Sequence, residues 1–243
     1  MIHLSRFAFP TREQEDCFFD SSQPGFKKKN FRTVYTSKYP FNLFRDRELP
    51  VFEVSDITIF CGNNGSGKST ILNVIAEKIG LERGTVYNRS DFFEDYTELC
   101  RFMYADESRK EPPADSRIIT SDDVFENVLS IRRLNEGIDE RRNQLIHEYI
   151  TGRDPNRTNT LAGLDDYERW RKSADLRKKS LTQSAFIRKN LIGNVQERSN
   201  GESALAYFVE KMQDGALYLL DEPENSLSPQ NQLQLKYFIE DAV

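Results

Sequence analysis

Eight consecutive residues, Gly62-Asn63-Asn64-Gly65-Ser66-Gly67-Lys68-Ser69, constrain the fold more than anything else in the chain, because they fit G-x-x-x-x-G-K-[ST] in full. The glycines let backbone N–H groups turn inward and cradle phosphate oxygens. Lys68 adds a point charge near the β/γ-phosphates, and the Ser69 hydroxyl, followed by Thr70, suits Mg²⁺. Upstream, Ile57-Thr58-Ile59-Phe60-Cys61 reads as a five-residue apolar strand. Downstream, Ile71, Leu72, Val74, Ile75 and Ile79 give the apolar face of a helix from about Ser69, with Gly80 placed to stop it. Strand, loop and helix together aim a positive helix N-terminus at the same anion. The expectation is an α/β fold that binds nucleotide phosphates through residues 62–70.

A second pattern lies near the end of the chain. Ala216-Leu217-Tyr218-Leu219-Leu220 is an apolar run closed by Asp221-Glu222-Pro223. Asp221 is expected at the carboxyl edge of a buried parallel strand, where α/β sheets bind ligands, and there it suits Mg²⁺. Glu222 is the candidate to orient and polarise an attacking water. A third pattern, Arg198-Ser199-Asn200-Gly201-Glu202-Ser203-Ala204, reads as a helix start. Ser199 and Glu202 have capping-box spacing, and such an N-terminus can also face an anion. Ser228-Pro229 supplies an N-cap and a first-turn proline for one more helix.

The order of these patterns resembles the ABC-type ATPase superfamily. Arg198-Ser199-Asn200-Gly201-Glu202 is similar to its L-S-G-G-Q signature, keeping the Ser and the third-position Gly. Asn225-Ser226-Leu227-Ser228 resembles its D-loop. Within the superfamily the chain is most similar to stand-alone bacterial "AAA family" ATPases, related to the heads of SMC, RecF and OLD-type proteins. The resemblance implies ATP and Mg²⁺ as ligands and a head-to-tail homodimer. In it, Ser199 and Gly201 of one protomer contact the γ-phosphate on the P-loop of the other, with Lys68 and Glu222 serving catalysis. It also implies a Gln after the strand between P-loop and signature, where this chain has Ser121-Asp122-Asp123. An adenine-stacking aromatic is implied some 20–25 residues before the P-loop, and Tyr39, Phe41 and Phe44 are the candidates. The family's switch His belongs one strand beyond the helix opened by Ser228-Pro229. Neither His3 nor His147 occupies such a place. The expectation is either a truncated chain or an ATPase missing that last strand and its γ-phosphate sensor, which binds ATP and hydrolyses it slowly.

The rest of the chain sets the organisation. Residues 1–123 are read as a β layer plus the P-loop half of the core, with strands at 31–35 and 51–54, a helix from Ser90-Asp91 to about Met103, a loop over 107–116 and a strand at 118–120. Val124, Val128, Ile131, Ile138, Leu145 and Tyr149 recur at spacings of three, four or seven, giving one long amphipathic helix. With a turn over 152–163 and a charged helix over 165–179, residues 124–196 form an inserted αα-hairpin. Residues 197–243 return to the core. The insertion holds 14 Lys+Arg against 10 Asp+Glu, so it carries +4 within a chain of net charge −5. Arg169, Arg171, Lys172, Arg177, Lys178 and Lys179 are its candidate nucleic-acid contacts, whereas Lys27-Lys28-Lys29 is read as a solvated loop. Three scattered cysteines make neither a disulfide framework nor a zinc site. No apolar run approaches the roughly 20 residues of a membrane helix, and no secretory signal is visible, so a cytoplasmic protein is expected. An adjacent effector protein is a further expected partner. Two alternatives stay open: a transporter's nucleotide-binding subunit, and an ATP-gated scaffold or DNA clamp with little turnover.

Overall fold

The computed structural model describes residues 3–22, 37–47, 49–153, 182–195, 200–225 and 227–242. The expected strand at 31–35, the lysine run at 27–29 and the charged helix at 165–179 lie outside them. The chain divides into two compact units, one of residues 1–126 and 199–243, the other of residues 127–198.

The first unit contains two three-stranded sheets. In the antiparallel one, β1 (Leu4–Ala8) pairs with β2 (Phe52–Glu53) on one side and β4 (Arg101–Tyr104) on the other. In the parallel one, β3 (Glu82–Arg83), β5 (Arg117–Thr120) and β6 (Tyr218–Asp221) lie in that order. Parallel strands need helical crossovers that cover both faces. On β5, Ile118 and Ile119 point to opposite faces as neighbours on a strand must, and they belong to two different cores. The larger core gathers α1 (Arg12–Phe19), α2 (Lys68–Ile79) and α3 (Phe93–Leu99) with Phe7, Phe41, Phe44, Phe92 and Tyr96. The smaller gathers Val124, α6 (Asn200–Lys211) through Ala204 and Phe208, and α7 (Pro229–Asp241) through Leu235.

Several expectations meet the structure directly. The helix after the P-loop ends at Ile79 on a left-handed Gly80, whose N–H bonds to Ala76 and Glu77 carbonyls. Ser228 caps α7 by accepting the Asn231 N–H, with Pro229 in the first turn. Two expectations are corrected. The helix expected up to Met103 stops at Leu99, because residues 101–104 extend and pair with β1, a non-local ladder that local periodicity cannot reveal. The apolar run Ile57 to Cys61 belongs to neither sheet, and Ile59 is 77 % exposed. Its composition suits a buried strand, but a strand exists only where a neighbour pairs with it, and among the described residues it has no ladder partner.

In the second unit, α4 (Ser121–Arg153) continues from the first and buries Val128, Leu145 and Tyr149 along one face. It starts three residues before Val124, where the apolar periodicity begins, and runs through Gly152, the first residue of the expected turn. A helix not expected from the sequence, α5 (Gln183–Asn190), is capped by Thr182, and its Phe186 ring lies 5.7 Å from Tyr149. Buried Asn135 mimics a peptide group, donating to the Val195 carbonyl at 3.0 Å and accepting its N–H at 2.9 Å.

Candidate functional site

The site forms where α2 begins and β6 ends. Ser69, in the first turn of α2, donates its hydroxyl to Asp221 Oδ1 at 3.1 Å across 152 residues of sequence. Asp221 is the last residue of β6 and lies in register with Thr120, the last of β5, so both stand at the carboxyl edge of the parallel sheet. Burial pushes the Asp221 carboxyl above its usual range, with the Ser69 bond opposing and the Glu222 charge adding to the rise. The Arg83 and Lys68 charges oppose it more weakly.

The loop itself is shaped as an anion cradle. Gly65 and Gly67 have φ of +75° and +99°, a region that side chains strain to enter. Gly67 is the N-cap of α2 and has no side chain to cap the first turn, so those N–H groups remain available to an anion. Lys68 Nζ donates to the loop's own carbonyls, Gly62 at 2.9 Å and Asn63 at 3.2 Å. Asn63 accepts the Ser66 N–H at 3.1 Å, while Asn64 and Gly65 form the exposed tip of the turn. Thr70 accepts the Tyr39 hydroxyl at 2.9 Å.

Glu222 follows Asp221 with φ +50°, a left-handed conformation costing of order 1–3 kcal/mol for a residue with a side chain. Asn225 holds that turn twice, donating its N–H to the Glu222 carbonyl at 3.0 Å and its amide to Glu222 Oε2 at 2.7 Å. The turn sets the Glu222 carboxylate directly after Asp221, at the end of β6.

Gly201 lies in the first turn of α6, which packs with α7 on the Ile119 face of the parallel sheet, whereas α2 packs with α3 on the Ile118 face. Ser199 and Ser226 lie outside the described residues. Asp122 is exposed on the first turn of α4. Asp123 instead closes a capping box, its Oδ2 accepting the Thr120 N–H at 2.7 Å and hydroxyl at 2.8 Å. Phe41 and Phe44 are core residues with little surface left for a base, and Tyr39 is half-buried.

Two cations were not singled out by any motif. Half-buried Arg83, at the end of β3, donates to Asn73 at 2.6 Å and to the Thr85 carbonyl at 2.8 Å. Burial lowers its pKa, and the charges of Asp123, Asp221 and Asp122 oppose that shift. Arg47 donates to the Ser66 carbonyl at 2.8 Å. Only the three-strand order brings Arg83 near Asp221, and Arg47 sits in a stretch with no periodic pattern.

The donor set fits Mg²⁺. A hard ion that keeps waters and shares substrate phosphates needs only one or two protein oxygens, here the Ser69 hydroxyl and the Asp221 carboxylate. No group of three or more His, Cys, Asp or Glu placed to hold a metal unaided occurs among the described residues. No described helix is long and apolar enough to cross a membrane. Residues 52–225 match a family model described as "ABC transporter". No curated protein and no solved structure matches the chain.

Proposed function

The chain belongs to the ABC transporter family of P-loop ATPases, and from that premise we propose that it hydrolyses ATP with Mg²⁺ and acts as a dimerising nucleotide switch. The observation carrying the reading is the Ser69–Asp221 contact, which joins the two expected metal-holding groups of distant segments at one point. Mg²⁺ held there would neutralise charge on the transferred phosphoryl group.

The chain's own groups divide the remaining work. The first-turn N–H groups of α2 and the loop amides of residues 62–67 bind the phosphates, and Lys68 exchanges its two carbonyl partners for phosphate oxygens. Glu222, turned by its φ and steadied by Asn225, orients a water and accepts its proton. Ser199 and Gly201 complete a second copy's site, a reading supported by α6 and α2 packing on opposite faces of the parallel sheet. The setting, DNA maintenance or phage defence, rests on the resemblance to stand-alone ATPases, and an adjacent effector would read the switch.

Glu222→Gln is expected to keep ATP binding and lose turnover by roughly 10²–10⁴-fold, accumulating an ATP-bound dimer in size-exclusion chromatography with light scattering. Lys68→Ala should neither bind nor dimerise. A Glu222→Gln chain that stays monomeric at saturating ATP would sink the switch. The matched model's own description favours a second reading, a transporter's nucleotide-binding subunit. Co-purification with a polytopic membrane protein would support it. Salt-sensitive DNA binding that disappears when Arg169, Arg171, Lys172, Arg177, Lys178 and Lys179 are neutralised would favour the clamp instead.

A further inference from the structure

We infer that residues 37–47 brace the phosphate loop from outside and that Arg47 is a positioning residue for nucleotide binding; this rests on the ATP reading. The segment touches the loop and the start of α2 at three points. Arg47 donates to the Ser66 carbonyl at 2.8 Å. The Phe44 ring lies so close to Gly67 that a Cβ there would come within 2.6 Å of it. Tyr39 donates its hydroxyl to Thr70 at 2.9 Å.

The far side of the segment is anchored as firmly. Asn42, itself at φ +67°, donates its N–H to Glu15 Oε2 at 2.9 Å, and Glu15 is only 2 % exposed. Arg45 pairs with Asp16 at 2.6 Å. Phe41 stacks on Phe18 of α1 at 4.8 Å and meets Tyr96 of α3 edge-on at 5.0 Å. The segment is therefore fixed to α1 and α3 before it reaches the loop.

The Arg47 bond decides the orientation of one peptide group. In a trans peptide the carbonyl and the following N–H point in opposite directions. Holding the Ser66 carbonyl toward Arg47 therefore directs the Gly67 N–H away from Arg47, to the opposite side of the loop. Gly67 at φ +99° can rotate cheaply without that tether, because glycine lacks the Cβ that restrains other residues. Arg47 thus removes a conformational freedom that nucleotide would otherwise have to quench on binding.

The test compares the full chain with Arg47→Ala, Arg47→Lys and Lys68→Ala. Binding of a non-hydrolysable ATP analogue is followed by calorimetry, and steady-state ATPase kinetics supply KM and kcat. For Arg47→Ala the expected result is a Kd and a KM raised about tenfold with kcat within about twofold, the pattern of lost uniform binding. Arg47→Lys should recover part of the loss, since an ammonium can still donate one bond to the carbonyl. Arg47→Ala binding within twofold of the unaltered chain, while Lys68→Ala binds nothing, overturns the brace and leaves the ATP reading intact. An unaltered chain that binds no nucleotide overturns the ATP reading and the brace with it.

Discussion

Asp221 shows how a site can oppose the stability of the chain that carries it. Its folded pKa is raised above the ordinary 3.8, chiefly by burial. The folded state therefore holds its proton to higher pH than the unfolded state does. Stability from this group is fully present below the ordinary carboxylate range and declines as pH rises through the raised value. At neutral pH the ionised carboxylate is a standing cost, which a bound dication would relieve. Asp221→Asn, whose amide oxygen can still accept the Ser69 hydroxyl, is thus expected to raise the Tm of the nucleotide-free chain at pH 7 by about 2 °C. The gain should vanish near pH 3 in calorimetric scans, and Mg²⁺-dependent turnover should be lost. Glu222 carries its cost in the backbone instead, as a left-handed residue held by Asn225.

Elements here begin and end on polar side chains that can be read locally. Thr11 with Gln14, Thr120 with Asp123, Thr182, and Ser228 each cap a helix. Of these, the Ser228-Pro229 start was legible in the sequence, because an N-cap followed by a first-turn proline needs only neighbours in sequence. The strand at 101–104 was not, since its hydrogen bonds go to residues near the N-terminus. Within the second unit, Asn135 performs a comparable task at long range by pairing with both backbone groups of Val195. Asn135→Ala should remove both bonds at a cost of about 1–2 kcal/mol. The measurable outcome is amide exchange in residues 182–195 faster by roughly tenfold, with little change in the strands of the first unit.

For the whole molecule, ligand and stability are linked. Anything that binds only the folded chain stabilises it, by about 2.7 kcal/mol at one hundred times the Kd. Thermal scans with rising MgATP should show Tm increasing for the unaltered chain and for Glu222→Gln, and staying flat for Lys68→Ala. A flat response in all three would remove nucleotide binding as the chain's activity. The division into units fits this expectation, because every described residue of the candidate site belongs to the unit of residues 1–126 and 199–243.

By itself, the sequence determined the phosphate loop, its helix, the Asp221-Glu222 pair and the long amphipathic helix. Each is a short-range pattern in which residue type fixes backbone conformation or helical face directly. The tertiary structure alone decided which strands pair, that Ile57 to Cys61 joins neither sheet, and that Arg83 and Arg47 stand beside the site. Those depend on contacts between segments far apart in sequence. No local pattern encodes them, because their hydrogen bonds and charges find partners only after the layers have packed.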